Sequence, residues 1–526
     1  MVIRARRAAL ALFVAVTAPM AWGATINVTG NTFGDELNND GDCSLREAVR
    51  SANSDTSVDN CTAGDGGTDE IVLPRGTYTL SLSGSEVGDG SERDLDVTST
   101  TLIRPGSGNA ASVRLEPADG YTGRAFEVGG SGTTLTLRRF TIHGFDAGSG
   151  AAGGAVNNQG QTLVLEEMVL DANEGNASGA IGASGSPTVV IEDSTLSDNV
   201  ATSSSFALGG AVGSNVRELK LTDVTFMRNH SEGNGGAIGT DGANQLVNMD
   251  NVTLVNNTAA GHGGGFYLGA DTDVNIRNTI ISDNRVGGDG AECAQADGLT
   301  LTGSTDYNLW GPGGSCFGSL GNNSIESSDP GLGLAGFYDG STESLPPLAG
   351  SPAIDSGSCQ NLAGTNISAN KDQRQSTATR NADGDGDGTQ ACDIGAVERQ
   401  RTAIQVDAVA DTDDALLGDG SCADAEGQCT LRAAIDETNA TPGLDVIQLG
   451  SGEYVLTKAG NDEDGNATGD LDIRDSVILI GKGADDTVIN ADGLDRALHV
   501  PSEGSDQEET LGLHSLAVKS GDNVVN

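Results

Sequence analysis

Asp383-Gly-Asp385-Gly-Asp387-Gly388 is the stretch whose residue types and spacing most directly suggest chemistry. Alternate carboxylates converge when glycines let the backbone turn tightly between them, and Asp383, Asp385 and Asp387 could hold calcium in that way. The twelfth position is Ile394, where a helix–loop–helix calcium site places a Glu, so the loop also reads as a solvated acidic turn beside Cys392. Hydrolysis or elimination on a sugar needs other groups. It calls for paired carboxylates as acid and base, or for a basic residue beside an Arg or Lys that neutralises a uronate. The adjacent Asp pairs, Asp413-Asp414 and Asp485-Asp486, lie far along the chain from Gly261-His262-Gly263. His262 therefore reads as a turn residue, and Arg138, Lys220, Arg228 and Arg277 are too scattered to form a cationic site. A column of hydroxyls, Thr141, Thr195, Thr225 and Thr253, would make an outward strip able to contact a glycan or a partner. Thr also simply favours strands.

The scaffold for these groups is a repeat. Leu165-Glu-Glu-Met-Val-Leu170-Asp-Ala-Asn173 recurs as Ile191 to Asn199, Leu221 to Asn229, Met249 to Asn257 and Ile276 to Asn284, a solenoid-like period. Apolar residues stand two apart in each copy, as in Leu163 and Leu165 or Val189 and Ile191, and a third apolar column follows at Leu170, Leu196, Phe226, Leu254 and Ile281. A period of two means strand, and strands repeating at this interval fit the coils of a right-handed parallel β-helix, each coil about 4.8 Å above the last. Gly-Gly-Ala segments such as Gly209-Gly210-Ala211 and Gly235-Gly236-Ala237 supply another corner. The recurring Asn either stack amide on amide along the axis or start turns. Burying four apolar side chains does not offset fixing a whole coil of backbone, so stability must be shared between stacked coils.

Composition agrees. Hydrophobic residues are 36%, aromatics 3% and glycines 77 of 526, which suits a long thin core. Residues 1–23 have Arg4, Arg6 and Arg7, an apolar run over 8–16 and small residues ahead of a cut after Gly23, the pattern of a secretory signal. No other stretch is long and apolar enough to span a bilayer. Eight cysteines in an exported chain fit disulfides, and proximity pairs Cys43 with Cys61, Cys293 with Cys316, Cys359 with Cys392 and Cys422 with Cys429. Zinc is disfavoured by the lack of any CxxC and by only five His. A net charge of −47 argues against nucleic acid, anionic membranes and polyanionic substrates, and is compatible with cation binding.

Ser44 and Glu47 form an S-x-x-E capping box, and Leu45, Ala48, Val49 and Ala52 fall on one face of a short helix able to cover the end of the tube. Strand-like segments at 70–73, 77–80, 95–97, 101–103, 112–115 and 124–128 would be the first coils.

Cys43-Ser-Leu-Arg-Glu-Ala48 resembles the signature of the CSLREA-domain family, exported bacterial proteins with this segment before a β-helix. Phe226-x-x-Asn229 and Gly235-Gly236-Ala237-Ile238 are similar to polymorphic outer-membrane protein repeats, found in surface adhesins. Ser351-Pro-Ala-Ile-Asp355, Asp372-Gln-Arg374 and Cys392-Asp-Ile-Gly-Ala-Val-Glu398 resemble the end of a choice-of-anchor Q domain, which closes such helices. Gly261-His262-Gly263 is similar to a fragment of polygalacturonases, though without their paired carboxylates. The chain then restarts: 428–435 repeats the capping segment without the Glu, and 445–449, 452–456, 470–473, 496–500 and 511–518 repeat the early strands.

The expected organisation is a signal peptide (1–23), a CSLREA cap (24–72), a parallel β-helix of the pectin-lyase-like kind (73–328), a closing segment (329–400) and a truncated second module (401–526). The family implies an all-β, secreted or cell-surface protein with no established reaction. The leading expectation is thus non-enzymatic adhesion or glycan contact. The alternative is a polysaccharide lyase or glycoside hydrolase on the same scaffold.

Overall fold

Leu170, Leu196, Phe226, Leu254 and Ile281 form one interior file, each fully buried and directly beside its equivalent one coil away. A computed structural model of the protein describes residues 22–29, 33–84, 93–242, 244–269, 272–287, 292–296, 305–313, 317, 320–375, 379–460, 463–494, 496–501 and 509–519. From Trp22 to Glu326 the described chain winds as a right-handed parallel β-helix. The expected leader, except for residues 22 and 23, lies outside the described residues. Strands such as Thr162–Glu166 and Thr188–Glu192 make one face and Val169–Asp171 and Thr195–Ser197 the next. In two coils a single long strand, Glu218–Met227 or Gln245–Val255, runs across both. The glycine pairs do more than turn a corner. A third strand starts just after them, as at Val212–Ser214 and Ile238–Thr240, and builds an eight-stranded sheet. Gly235 takes φ of +69°, and a Cβ on Gly236 would overlap the Gly264 carbonyl oxygen of the next coil, so both positions need glycine.

The recurring Asn do stack. Asn173, Asn199, Asn229 and Asn257 each donate from Nδ2 to the Oδ1 of the next Asn at 2.9–3.1 Å. Each Oδ1 also accepts the backbone N–H of the preceding member, and each Nδ2 reaches a carbonyl of the preceding coil. The row ends at Glu292, whose Oε2 accepts from Asn284 Nδ2 at 2.8 Å and whose carboxyl burial pushes up to about 7. The turn is made one residue earlier, where Asp198, Arg228, Asn256 and Asp283 all take positive φ.

Helix Leu45–Ser54 carries the expected capping box and packs Leu45, Ala48, Val49 and Ala52 into the tube's core. Its fully buried Arg46 pairs with Asp35 and donates to the Asp94 carbonyl, which pins the helix to an early coil. Helix Leu431–Ala440 repeats the device: Thr430 caps it without a box, and buried Arg432 pairs with Asp411 and reaches the Asp470 carbonyl. Strands after it pair in parallel as in the first coils, around a separate core. Disulfides join Cys43 to Cys61, Cys359 to Cys392 and Cys422 to Cys429. Cys293 is also disulfide-bonded, and its expected partner Cys316 lies outside the described residues. On the chain-entropy model the first of these loops contributes about 3 kcal/mol.

Candidate functional site

The threonine column is not an outward strip. Thr195, Thr225 and Thr253 are at most 1% exposed and Thr141 is 7%. The 329–400 segment runs along the flank of the tube as a strap and covers most of this row. Thr225 Oγ1 donates to Gln373 Oε1 at 2.6 Å, Gln373 Nε2 donates to Thr195 Oγ1 at 2.9 Å, and Thr253 Oγ1 accepts from the Ala396 N–H at 3.0 Å. Hydroxyls spaced one per coil match the strap's amides, and the covering residues come from the two motifs at 372–374 and 392–398. The strap is fastened by Ile394 packing on Met227, Val255 and Ile280, and by the fully buried Arg380 on Asp223. A glycan cannot lie on this row while the strap is in place.

The Asp-Gly loop gathers a different set of carboxylates from the one its spacing suggests. Asp383 and Asp385 come together with Asp355, each offering an oxygen within 4.8 Å of the others. Asp387 stands apart and caps its own turn, accepting from the Thr389 N–H at 2.7 Å. Within the cluster Asp355 Oδ2 accepts from the Asp385 N–H at 3.0 Å, while its Oδ1 has no hydrogen-bond partner. Burial, then Asp385 and Asp383, raises the Asp355 pKa above the ordinary carboxylate range. An oxygen-only cluster of this kind suits a hard cation.

The other candidates do not form sites. His262 lies exposed on a turn, its N–H donating to Asn234 Oδ1 at 2.9 Å. Asp413 pairs with Lys458, Asp414 caps the Leu416 and Ala423 N–H groups, and Asp485 and Asp486 are exposed. Arg138, Lys220, Arg228 and Arg277 each pair with a carboxylate on an adjacent coil, Glu166, Glu192, Asp198 and Asp306.

A groove of about 840 Å³ opens between the flank and residues 361–375 of the strap. Its floor carries Asp193, Asp223 and Asp250 on successive coils, with Asn248 and Asn275 beside them; Asn361, Leu362, Lys371 and Gln375 wall it. Burial, then Asp223, pushes the Asp193 carboxyl up to about 9. Burial likewise raises Asp223, to about 7, against the pull of Arg380, and raises Asp250 too. Asp193 and Asp223, raised this far in a polar cleft, can donate as well as accept hydrogen bonds. Adjacent-pair reasoning misses these residues because their neighbours in space are a whole coil away in sequence. The signal was the column Glu167, Asp193, Asp223, Asn251 and Asn278, in which every residue takes positive φ. Asp and Asn tolerate that conformation, so the backbone alone accounts for the column's composition.

No family model and no curated protein matches the chain. Among solved structures the PL6 family alginate lyase AlyGC is similar at 11% identity, over 87% of this chain and 70% of that chain, with a TM-score of 0.16. A point mutant of the same enzyme matches at 12% identity and a TM-score of 0.14 over the same shares. At such scores the likeness bears on neither fold nor chemistry. Among the described residues no helix is long and apolar enough to cross a membrane.

Proposed function

We propose that the protein is an exported bacterial β-helix protein of the CSLREA type, secreted or displayed at the cell surface, which holds a glycan or glycan-bearing partner without chemical turnover. The observation that carries this reading is the groove between flank and strap, long, polar and lined by amides and carboxyls in register with the coils. The disulfides are compatible with an extracellular setting. A polyuronate is a poor candidate, because a net charge of −47 repels it. The full chain is expected to retain neutral or basic glycans on an array, and Asn248→Trp, which fills the groove floor, is expected to lower retention about tenfold or more. An array with no retained glycan, or equal retention by the variant, defeats the proposal.

Asp193 beside Asp223 favours a second reading, a carbohydrate-active enzyme in which a proton-bearing carboxyl assists the leaving group. Release of product from a polysaccharide, lost in Asp193→Asn, would replace the first reading with this one.

Calcium at Asp355, Asp383 and Asp385 is part of the same proposal. Millimolar calcium is expected to raise Tm by a few degrees through preferential binding to the folded chain, and Asp383→Asn to abolish the shift. A melting curve indifferent to both calcium and chelator ends it.

A further inference from the structure

The second module departs from the first where it meets the strap. Asn53 and Asn439 mark equivalent positions: each donates to the carbonyl of a buried Asp, Asp96 or Asp472, and accepts from the N–H of Thr98 or Arg474. Ser99 of the first module therefore corresponds to Asp475. The paired strands carry Glu70 and Leu102 in the first module where the second carries Val446 and Ile478. Exchanging Glu70 for Val446 makes that strip apolar, and Val446 and Ile478 are buried against Tyr338 of the strap. The Tyr338 N–H donates to Thr510 Oγ1 at 3.2 Å. Apolar side chains stand here because the strap removes them from water.

Acids gather around this apolar contact. The strap brings Asp339, whose Oδ1 accepts from Ser476 Oγ at 2.6 Å, and the second module brings Asp445 and Asp475, with Glu437 and Glu509 adding negative charge. Three guanidiniums face them. Arg401 of the link pairs with Asp445 at 3.0 Å, Arg374 acts on Asp339 but is held by Asp372 at 2.6 Å, and Arg399 is shared between Asp445, Asp393 and Asp355. Docking therefore presses together more negative charge than the cations neutralise, and protons make up the difference. Burial, then Asp339, pushes the Asp475 carboxyl up to about 7. Burial brings Asp445 to about 6 against the pull of Arg401, and raises Asp339 as well.

We propose that the joint between the two modules is a proton-gated latch, in which the second module sits on the strap in mildly acid surroundings and swings free of it as they turn alkaline. This goes beyond the glycan-binding reading and does not depend on it. An acid whose docked pKa lies above its released value stabilises docking fully below the released value, and that contribution is lost as pH rises through the docked value. The loss falls between about 6 and about 7.

The test is amide hydrogen exchange on the full chain at pH 5 and pH 8, corrected for intrinsic rates. Protection over 335–342 and 476–481 is expected to fall at least about tenfold at pH 8, while the strand Thr188–Glu192 keeps its protection. Asp475→Ser restores the first module's residue, and Asp339→Asn keeps an acceptor for the Ser476 hydroxyl. Both are expected to stay protected at pH 8. Val446→Glu, also a first-module residue, is expected to lose protection over 335–342 at both pH values. Protection of the buried Leu471–Ile473 stretch shows that the second module is folded in each variant. Equal protection of the parent at the two pH values overturns the inference. So does a loss at pH 8 that survives both Asp substitutions, or a Val446→Glu variant as protected as the parent at pH 5.

Discussion

Replacing Asn229 with Ala is expected to destabilise the tube by about 3–5 kcal/mol, as is the same change at its ladder equivalents Asn199 and Asn257. Its Oδ1 accepts both the backbone N–H and the Nδ2 of Asn199, at 3.1 and 2.9 Å, and its own Nδ2 donates to Asn257 Oδ1 and to the Leu196 carbonyl. Removing the side chain leaves two buried donors of Asn199 without an acceptor, each costing about 1–3 kcal/mol, and adds a cavity where no water enters. Asn157→Ala, on the partly exposed third face, is the control and is expected to cost less than about 1 kcal/mol. Denaturant unfolding followed by two probes checks the ranking, because an array of coils need not melt in one step. A loss below about 1 kcal/mol at Asn229 would mean that the ladder is ornamental and that the aliphatic files alone hold the coils in register.

The coil was legible because its information is local. The file of Leu170, Leu196, Phe226, Leu254 and Ile281, the stacked Asn and the capping box at Ser44 and Glu47 each follow from residue spacing within one repeat. What the sequence concealed is what lies between distant segments. The hydroxyls of Thr195 and Thr225 look identical whether they face water or Gln373, 178 and 148 residues later, so a cover was read as a free surface. One of the three carboxylates expected to converge, Asp387, stands apart for the same reason: Asp355, which joins Asp383 and Asp385, sits in a different motif. Asp193, Asp223 and Asp250 were hidden from any search for adjacent acids, because a solenoid turns a separation of one repeat into a contact. Sequence periodicity reports on the tube, whereas the strap has no period, and the groove exists only where the two meet.

Arg380→Met is expected to free the strap, and the cost follows from what the guanidinium faces. Arg380 is fully buried, pairs with Asp223, lies 4.0 Å from Glu398, and donates to the Gly395 and Ala396 carbonyls at 3.1 and 2.8 Å. Methionine fills much of the volume but leaves two buried carboxylates without their cation, a loss of about 3–5 kcal/mol. Burial already raises Asp223 and Glu398 above the ordinary range even with Arg380 present, and in the variant that opposing pull is gone. For acids whose folded pKa lies above the unfolded one, stability is fully present below the unfolded value and is lost as pH rises through the folded value. The variant's strap is therefore expected to resist trypsin near pH 5, as judged after a brief digestion, and to be cut after Lys371 or Arg374 at pH 8. The parent's strap should resist at both. Because Cys359 and Cys392 stay linked, the fragments separate only on a reducing gel. Equal resistance of variant and parent at pH 8 would show that Ile394 packing, not the ion pair, fastens the strap. A freed strap also removes one wall of the groove, so the same variant at pH 8 should lose glycan retention together with its protease resistance. If retention outlasts the wall, the ligand sits elsewhere on the tube.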